Sequence, residues 1–263
     1  MAEKNLAARR ARLSGLARLI LTLPLAALLA VAPGTAGAVS KHCLALDVDM
    51  TQRERLPRTT GALRLGQPLT ILAIGSSSTA GAGATSDRTT YPSLLAHELR
   101  RRYPGNEIQV IKAGVGGELL ENMLYRLKRL VVEHDPQLVI FQTGTNDALA
   151  RVDLDQFGAQ LEHAFDWLRA RGIDVLAMDL QFYPAISHEA SYAVYVDRIR
   201  QVARRERVPV FRRYDIMRYW STRPESAGML SEDSFHLSDR GYGCIAELLA
   251  ETIAQTVPSR PAN

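Results

Sequence analysis

From residue 69 onward, short apolar runs alternate with longer stretches in which apolar residues recur every three or four positions. The short runs, at 70–75, 108–112, 138–143, 175–180 and 208–211, are each bounded by turn residues or polar clusters and predict buried strands. The longer stretches predict helices at about 91–103, 119–134, 153–171, 192–206 and 239–256. In the second of these, Leu119, Met123, Leu127 and Leu130 share one face, while Glu121, Arg126 and Lys128 fall on the other. Strand and helix in strict alternation predict an α/β fold, a three-layer α/β/α sandwich with a central, mostly parallel five-stranded sheet.

That architecture directs attention to one edge of the sheet. In open α/β sheets the ligand crevice forms beyond the carboxyl ends of the strands. Gly75-Ser76-Ser77-Ser78-Thr79 follows the first strand, Gly114 the second, and Gly144-Thr145-Asn146-Asp147 the third. A strand ending in Gly and small hydroxyl residues suits a sharp turn that exposes a serine Oγ as nucleophile; spacing alone leaves open which serine acts. Asn146 would emerge at a strand end with its amide free for a developing oxyanion, although Asn-Asp after a strand is also an ordinary turn. Asp233-Ser234-Phe235-His236 precedes the last helix, which Ser238 can cap. An Asp and a His three residues apart can meet in a compact turn, the carboxylate holding Nδ1–H and Nε2 left to accept a serine proton. A phosphate-binding loop is excluded at Gly75–Thr79, because Gly81 follows too late and no Lys-Ser/Thr comes after it.

Taken in order, the four segments resemble the sequence blocks of the SGNH hydrolases, the GDSL-type esterases and lipases. Gly75-Ser76-Ser77-Ser78-Thr79-Ala80-Gly81 is similar to the first block, Gly114 in Ala113-Gly114-Val115-Gly116-Gly117 to the second, Gly144–Asp147 to the third and Asp233–His236 to the last. Two positions depart from the pattern: Ser76 stands where the family usually has Asp, and Lys112 where Asn is common. The resemblance covers about residues 69–256 and implies a flavodoxin-like fold and a serine esterase. Ser77 would be the nucleophile, His236 the base and Asp233 its orienting carboxylate. The Ser77 and Gly114 N–H groups and the Asn146 side chain would bind the oxyanion. It implies no metal and no organic cofactor, and as substrate a small-molecule or glycan-borne acyl ester. An O-deacetylase or acyltransferase acting on an envelope carbohydrate would use the same residues. A non-catalytic binding module is a third reading, against which intact Ser77, Asp233 and His236 argue. Phe182-Tyr183-Pro184, Tyr214, Tyr219 and Trp220 suit either a substrate pocket or core packing. His97, His134 and His163 lack metal-ligand spacing.

The amino-terminal segment changes the charge argument. Lys4, Arg9, Arg10, Arg12 and Arg18 precede an apolar stretch at 19–33, and Ala36-Gly37-Ala38 offers a signal-peptidase site. Residues 1–38 therefore read as an export signal to the periplasm or the exterior, too short in its apolar part to span a membrane and interrupted by Pro24. Of 32 Lys+Arg and 28 Asp+Glu, the leader takes five and one, which leaves 27 of each. The basic balance thus belongs to the leader, and nothing in the remainder points to nucleic acid or to an anionic membrane. Residues 39–67 read as a lead-in segment, 68–258 as the hydrolase domain and 259–263 as a tail. The oligomeric state stays open. In an exported chain Cys43 and Cys244 can pair, contributing at most about 5 kcal/mol through loop closure; two separate thiols are the alternative.

Overall fold

The computed structural model describes residues 39–40, 43, 56–186 and 189–256. The expected export signal, about half of the lead-in segment and the tail lie outside the described residues.

Five strands, β1 (Leu69–Gly75), β2 (Ile108–Gly114), β3 (Leu138–Gln142), β4 (Asp174–Met178) and β5 (Val210–Phe211), form one sheet in the order β2-β1-β3-β4-β5. Every pairing is parallel. The helices are α1 (Pro57–Leu65), α2 (Ser77–Ala80), α3 (Tyr91–Arg102), α4 (Leu120–His134), α5 (Thr145–Leu149), α6 (Leu154–Arg169), α7 (Ala190–Glu206), α8 (Arg213–Ser221) and α9 (Asp239–Gln255). β3 and β4 are buried throughout, as continuous apolar runs covered on both faces require, whereas β2 forms an edge and is partly exposed. On one side α3 packs against α9; on the other α4, α6 and α7 pack in a row. Among the described residues, no helix is long and apolar enough to cross a membrane.

The strand order positions the site. β1 lies between β2 and β3, so the chain leaves it toward one side and returns on the other. The crevice of such a sheet opens at this reversal, beyond the carboxyl end of β1. Gly75 ends that strand, and Ser77 follows it.

Several elements differ from the pattern-based expectation. The lead-in segment carries α1, which buries Thr59, Ala62 and Leu63 against the sheet. Its register is set by Asp174 at the start of β4, whose Oδ2 accepts from the Thr59 N–H and from Thr59 Oγ1, both at 2.8 Å. β4 ends at Met178, the last residue to pair with both β3 and β5, although the Asp179 N–H still donates to the Phe211 carbonyl at 3.3 Å. α8, absent from the expectation, follows β5 directly. The two cysteines are bonded, Cys43 to Cys244, and Ser40 donates its N–H and Oγ to the Glu247 carboxylate on the same helix α9.

Candidate active site

The turn after β1 separates the three serines. A Cβ on Gly75 would lie 2.2 Å from Thr79 Oγ1 and 2.4 Å from Gln142 Oε1, so only glycine fits there. Gln142, the buried last residue of β3, accepts from the Ser76 N–H and from Thr79 Oγ1, both at 2.9 Å, and donates to Ser76 Oγ at 3.1 Å. Ser78 turns into the protein body and donates to Gln181 Oε1 at 3.0 Å. Ser76 and Ser78 are buried, and Ser77, the first residue of α2, is half-buried. Its Oγ lies 2.9 Å from His236 Nε2, and His236 Nδ1 lies 2.6 Å from Asp233 Oδ2.

The turn that carries His236 is organised by Asp233. Its Oδ1 accepts from Ser231 Oγ at 2.7 Å and from the Phe235 and His236 N–H groups at 2.9 Å. Ser234 takes the left-handed conformation, φ 55°, that closes the turn, and the Ser231 N–H donates to the His236 carbonyl at 2.8 Å. Ser238 then caps α9 through the Gly241 N–H. Desolvation works to raise the Asp233 carboxyl. The hydrogen bonds from His236, Ser231 and the two backbone N–H groups outweigh it and hold the carboxyl well below its ordinary value. The sign follows: the stabilisation these bonds give the turn is fully present above about pH 3.8, the ordinary value, and is lost as pH falls below it. An ionised carboxylate can only accept, so Nδ1 is the donor in its bond to Asp233, and Nε2 faces Ser77 Oγ.

Gly83 backs this turn. At φ +87°, a Cβ on it would stand 2.4 Å from the Leu237 carbonyl and 3.0 Å from His236 Cβ. Gly83→Ala is expected to push the turn away from α2 and lower kcat by about 10- to 100-fold, through displacement of the imidazole. Steady-state kinetics beside a thermal melt checks this; wild-type kcat in a folded Gly83→Ala protein would refute it.

Asn146, on α5, donates one amide hydrogen to the Glu118 carbonyl at 2.9 Å, which leaves the other for a ligand. The Glu118 carboxylate in turn meets Arg126, whose terminal nitrogen also donates to the Gly75 and Ala113 carbonyls at 3.1 and 3.0 Å. The loop after β2 is thereby tied to the end of β1. Asp147 adds a second tie, its Oδ1 accepting from the Leu120 N–H at 2.9 Å. Burial pushes the Asp147 carboxyl up, against the pull of backbone N–H groups from Leu120, Asp147 and Gly144.

Gly114 is placed differently from the expectation. It pairs in register with Gly75, and the next N–H, of Val115, donates to the Gly75 carbonyl at 3.0 Å. Successive N–H groups along an extended strand point to opposite edges, so that of Gly114 points away from β1. Its lack of a side chain serves packing: a Cβ there would stand 1.9 Å from the Ala80 N of α2. Gly117, three residues on, has φ +72° and nothing within 4 Å of a would-be Cβ.

A sequence profile of the Non-GDSL lipase-like family matches residues 42–259. The chain belongs to that family. An arylesterase of Vibrio mimicus is 26% identical over 188 residues, which cover 70% of this chain and 88% of that one. The crystal structure of the lipase/acylhydrolase from Enterococcus faecalis superposes with a TM-score of 0.60 at 22% identity, covering 74% of this chain and 100% of that one. A two-domain esterase active on acetylated mannans gives a TM-score of 0.65 at 18% identity, over 80% of this chain and 55% of that one. This member of the Non-GDSL lipase-like family is a carboxylic-ester hydrolase with an SGNH-type fold.

Around the site of this lipase-like hydrolase the aromatic residues divide. Phe235 stands edge-on to the His236 imidazole with centroids 4.7 Å apart, and Tyr183 packs edge-on to Phe235 at 4.7 Å, forming a half-buried wall beside the imidazole. Phe182 and Trp220 are buried instead, Phe182 against Tyr214. His97, His134 and His163 lie on α3, α4 and α6. Gln142, Gln181, Gly83 and the Glu118–Arg126 pair were not singled out as site residues by the pattern of the chain. A polar Gln near the end of the apolar run at 138–143 is a local signal that could have pointed to one of them.

Proposed function

We propose that this hydrolase cleaves its ester by two-step acyl transfer through Ser77, His236 and Asp233. The observation that carries the reading is the continuous hydrogen-bonded line from Asp233 Oδ2 through the imidazole to Ser77 Oγ, at 2.6 and 2.9 Å, formed by segments about 160 residues apart in sequence. His236 takes the Ser77 proton as Oγ attacks the acyl carbonyl, and Asp233 stabilises the imidazolium. The proton then passes to the leaving alcohol, and water takes the place of that alcohol to release the acid. As the first residue of a helix, Ser77 has an N–H without an intrahelical acceptor, suited to the oxyanion, and the unused Asn146 amide hydrogen is a second donor. For the third donor, the ladder geometry favours the loop residue Gly117 over Gly114.

Fluorophosphonate labelling followed by peptide mapping tests the assignment. We expect one label, on Ser77, together with loss of p-nitrophenyl acetate hydrolysis. A label on Ser76 or Ser78, or no label on an active enzyme, would sink it. Asn146→Ala is expected to lower kcat by about 10²- to 10³-fold with KM little changed, since a donor aimed at the oxyanion acts mainly in the transition state. An equal rise in KM at unchanged kcat would instead make Asn146 a ground-state contact.

We further propose export, with cleavage after Ala38 and a hydrolase domain that begins ahead of residue 68, since α1 packs on the sheet. The basic and apolar leader supports this, as does a Cys43–Cys244 bond of the kind that persists in oxidising compartments. Amino-terminal sequencing of protein from the periplasm or medium should begin at Val39. The substrate class is an acyl ester carried on a small molecule or a glycan, and a hydrolysis screen across acyl lengths and acetylated sugars resolves which.

A further inference from the structure

Gln181 touches three of the four reactive segments, each time at the residue next to the one that acts. Its Oε1 accepts from Ser78 Oγ at 3.0 Å, beside Ser77. Its Nε2 donates to the Phe235 carbonyl at 3.1 Å, beside His236. Its backbone N–H reaches Thr145 Oγ1 at 3.4 Å, beside Asn146. The backbone carbonyl is held as well, accepting from Tyr192 OH at 2.8 Å, and that hydroxyl also lies 3.3 Å from Thr145 Oγ1. The residue is 1% exposed. A buried amide engaged at both ends has one orientation: a flip would set Oε1 against the Phe235 carbonyl and leave that acceptor unsatisfied.

The bonds within the 231–236 turn fix its shape, but not its distance from α2. Gln181 spans that gap from the sheet side, where β4 has just ended. We propose that Gln181 is a positioning residue that sets the spacing between Ser77 Oγ and His236 Nε2, so that the end of β4 acts on the reaction through its neighbours. This rests on the reading of Ser77 and His236 as nucleophile and base. Gln181 itself touches no reacting atom in that reading.

The test uses the full mature enzyme with Gln181→Met, which keeps the length and removes both bonds, and Gln181→Glu. Turnover of p-nitrophenyl acetate is divided by the number of sites titrated with fluorophosphonate, and a melt is recorded beside it. For Gln181→Met we expect kcat per titrated site to fall about 10- to 100-fold with KM within about threefold, the signature of a misplaced base. In Gln181→Glu a protonated carboxyl can donate to the Phe235 carbonyl and an ionised one repels it; burial raises the carboxyl toward the working range. Its kcat should therefore show an extra ionisation absent from wild type, with activity lost as pH rises through it. If Gln181→Met keeps wild-type kcat per titrated site, Gln181 serves stability alone and the proposal is overturned, whatever the melting temperature. If Gln181→Met fails to fold, the pH profile of Gln181→Glu decides, and a wild-type profile there overturns it. Full activity in Ser77→Ala would be a different failure, that of the nucleophile assignment itself.

Discussion

Replacing Ser77 with alanine is expected to lower kcat by at least about 10⁴-fold and to leave the fold unchanged. The magnitude follows from the division of labour in such a site: without a nucleophile the acyl-enzyme path closes, and only oxyanion stabilisation and substrate positioning act on a water attack. The fold should tolerate the change because Ser77 is half-buried and its Oγ is engaged with His236, while the bonds that shape the turn come from Ser76, Ser78 and Thr79. Those neighbours supply the contrast. Ser76→Ala removes the Oγ contacts with Gln142, Ser78→Ala removes the bond to Gln181, and both retain the nucleophile, so losses should stay within about tenfold. The measurement is kcat on p-nitrophenyl acetate with circular dichroism as control. Activity in Ser77→Ala within a hundredfold of wild type would end the acyl-enzyme reading.

His236→Ala should match that loss within about tenfold, because nucleophile and base act as one unit and their effects do not add. The double variant Ser77→Ala/His236→Ala should therefore be little worse than either alone. Asp233→Asn is expected to be milder, about 10²- to 10⁴-fold. An amide at this position offers Nδ1 a donor or a weaker acceptor, which disfavours the tautomer that leaves Nε2 free. The Asp233 side chain is 48% exposed, and water takes over part of its interaction with the imidazolium. Asp233 also holds the Phe235 and His236 N–H groups, so the variant should lose some order in the turn. Wild-type kcat in Asp233→Asn would reduce Asp233 to a turn former.

The parts of the fold that could be read from the chain are those in which neighbours in sequence do the work. The runs that became β1, β2 and β3 and the stretches that became α3, α4, α6, α7 and α9 carry their periodicity locally. α1 does not: one of its buried positions is Thr59, a polar residue whose burial makes sense only once Asp174 is brought beside it. The family resemblance alone chose Ser77 among three serines, while the segments that hold it, Asn146, Asp233 and His236 were legible because the place of each after a strand or before a helix follows from the pattern. Gln181 was not. Its partners in the three segments lie 103, 54 and 36 residues away, and no local spacing announces them. Gly114 shows the opposite error. A glycine directly after a strand invites a role at the site, but the edge to which its N–H points is a property of strand pairing and appears only with the sheet.

The bond between Cys43 and Cys244 turns the stretch between them into a closed ring, and Ser77, Asn146, Asp233 and His236 all lie on it. A ring differs from a line in how it responds to a cut. One proteolytic nick anywhere on the circumference leaves a single covalent molecule, with both new ends still anchored to the same body. These four residues can part only after a second cut or after reduction, so a once-nicked enzyme should run as one species until a reductant is added.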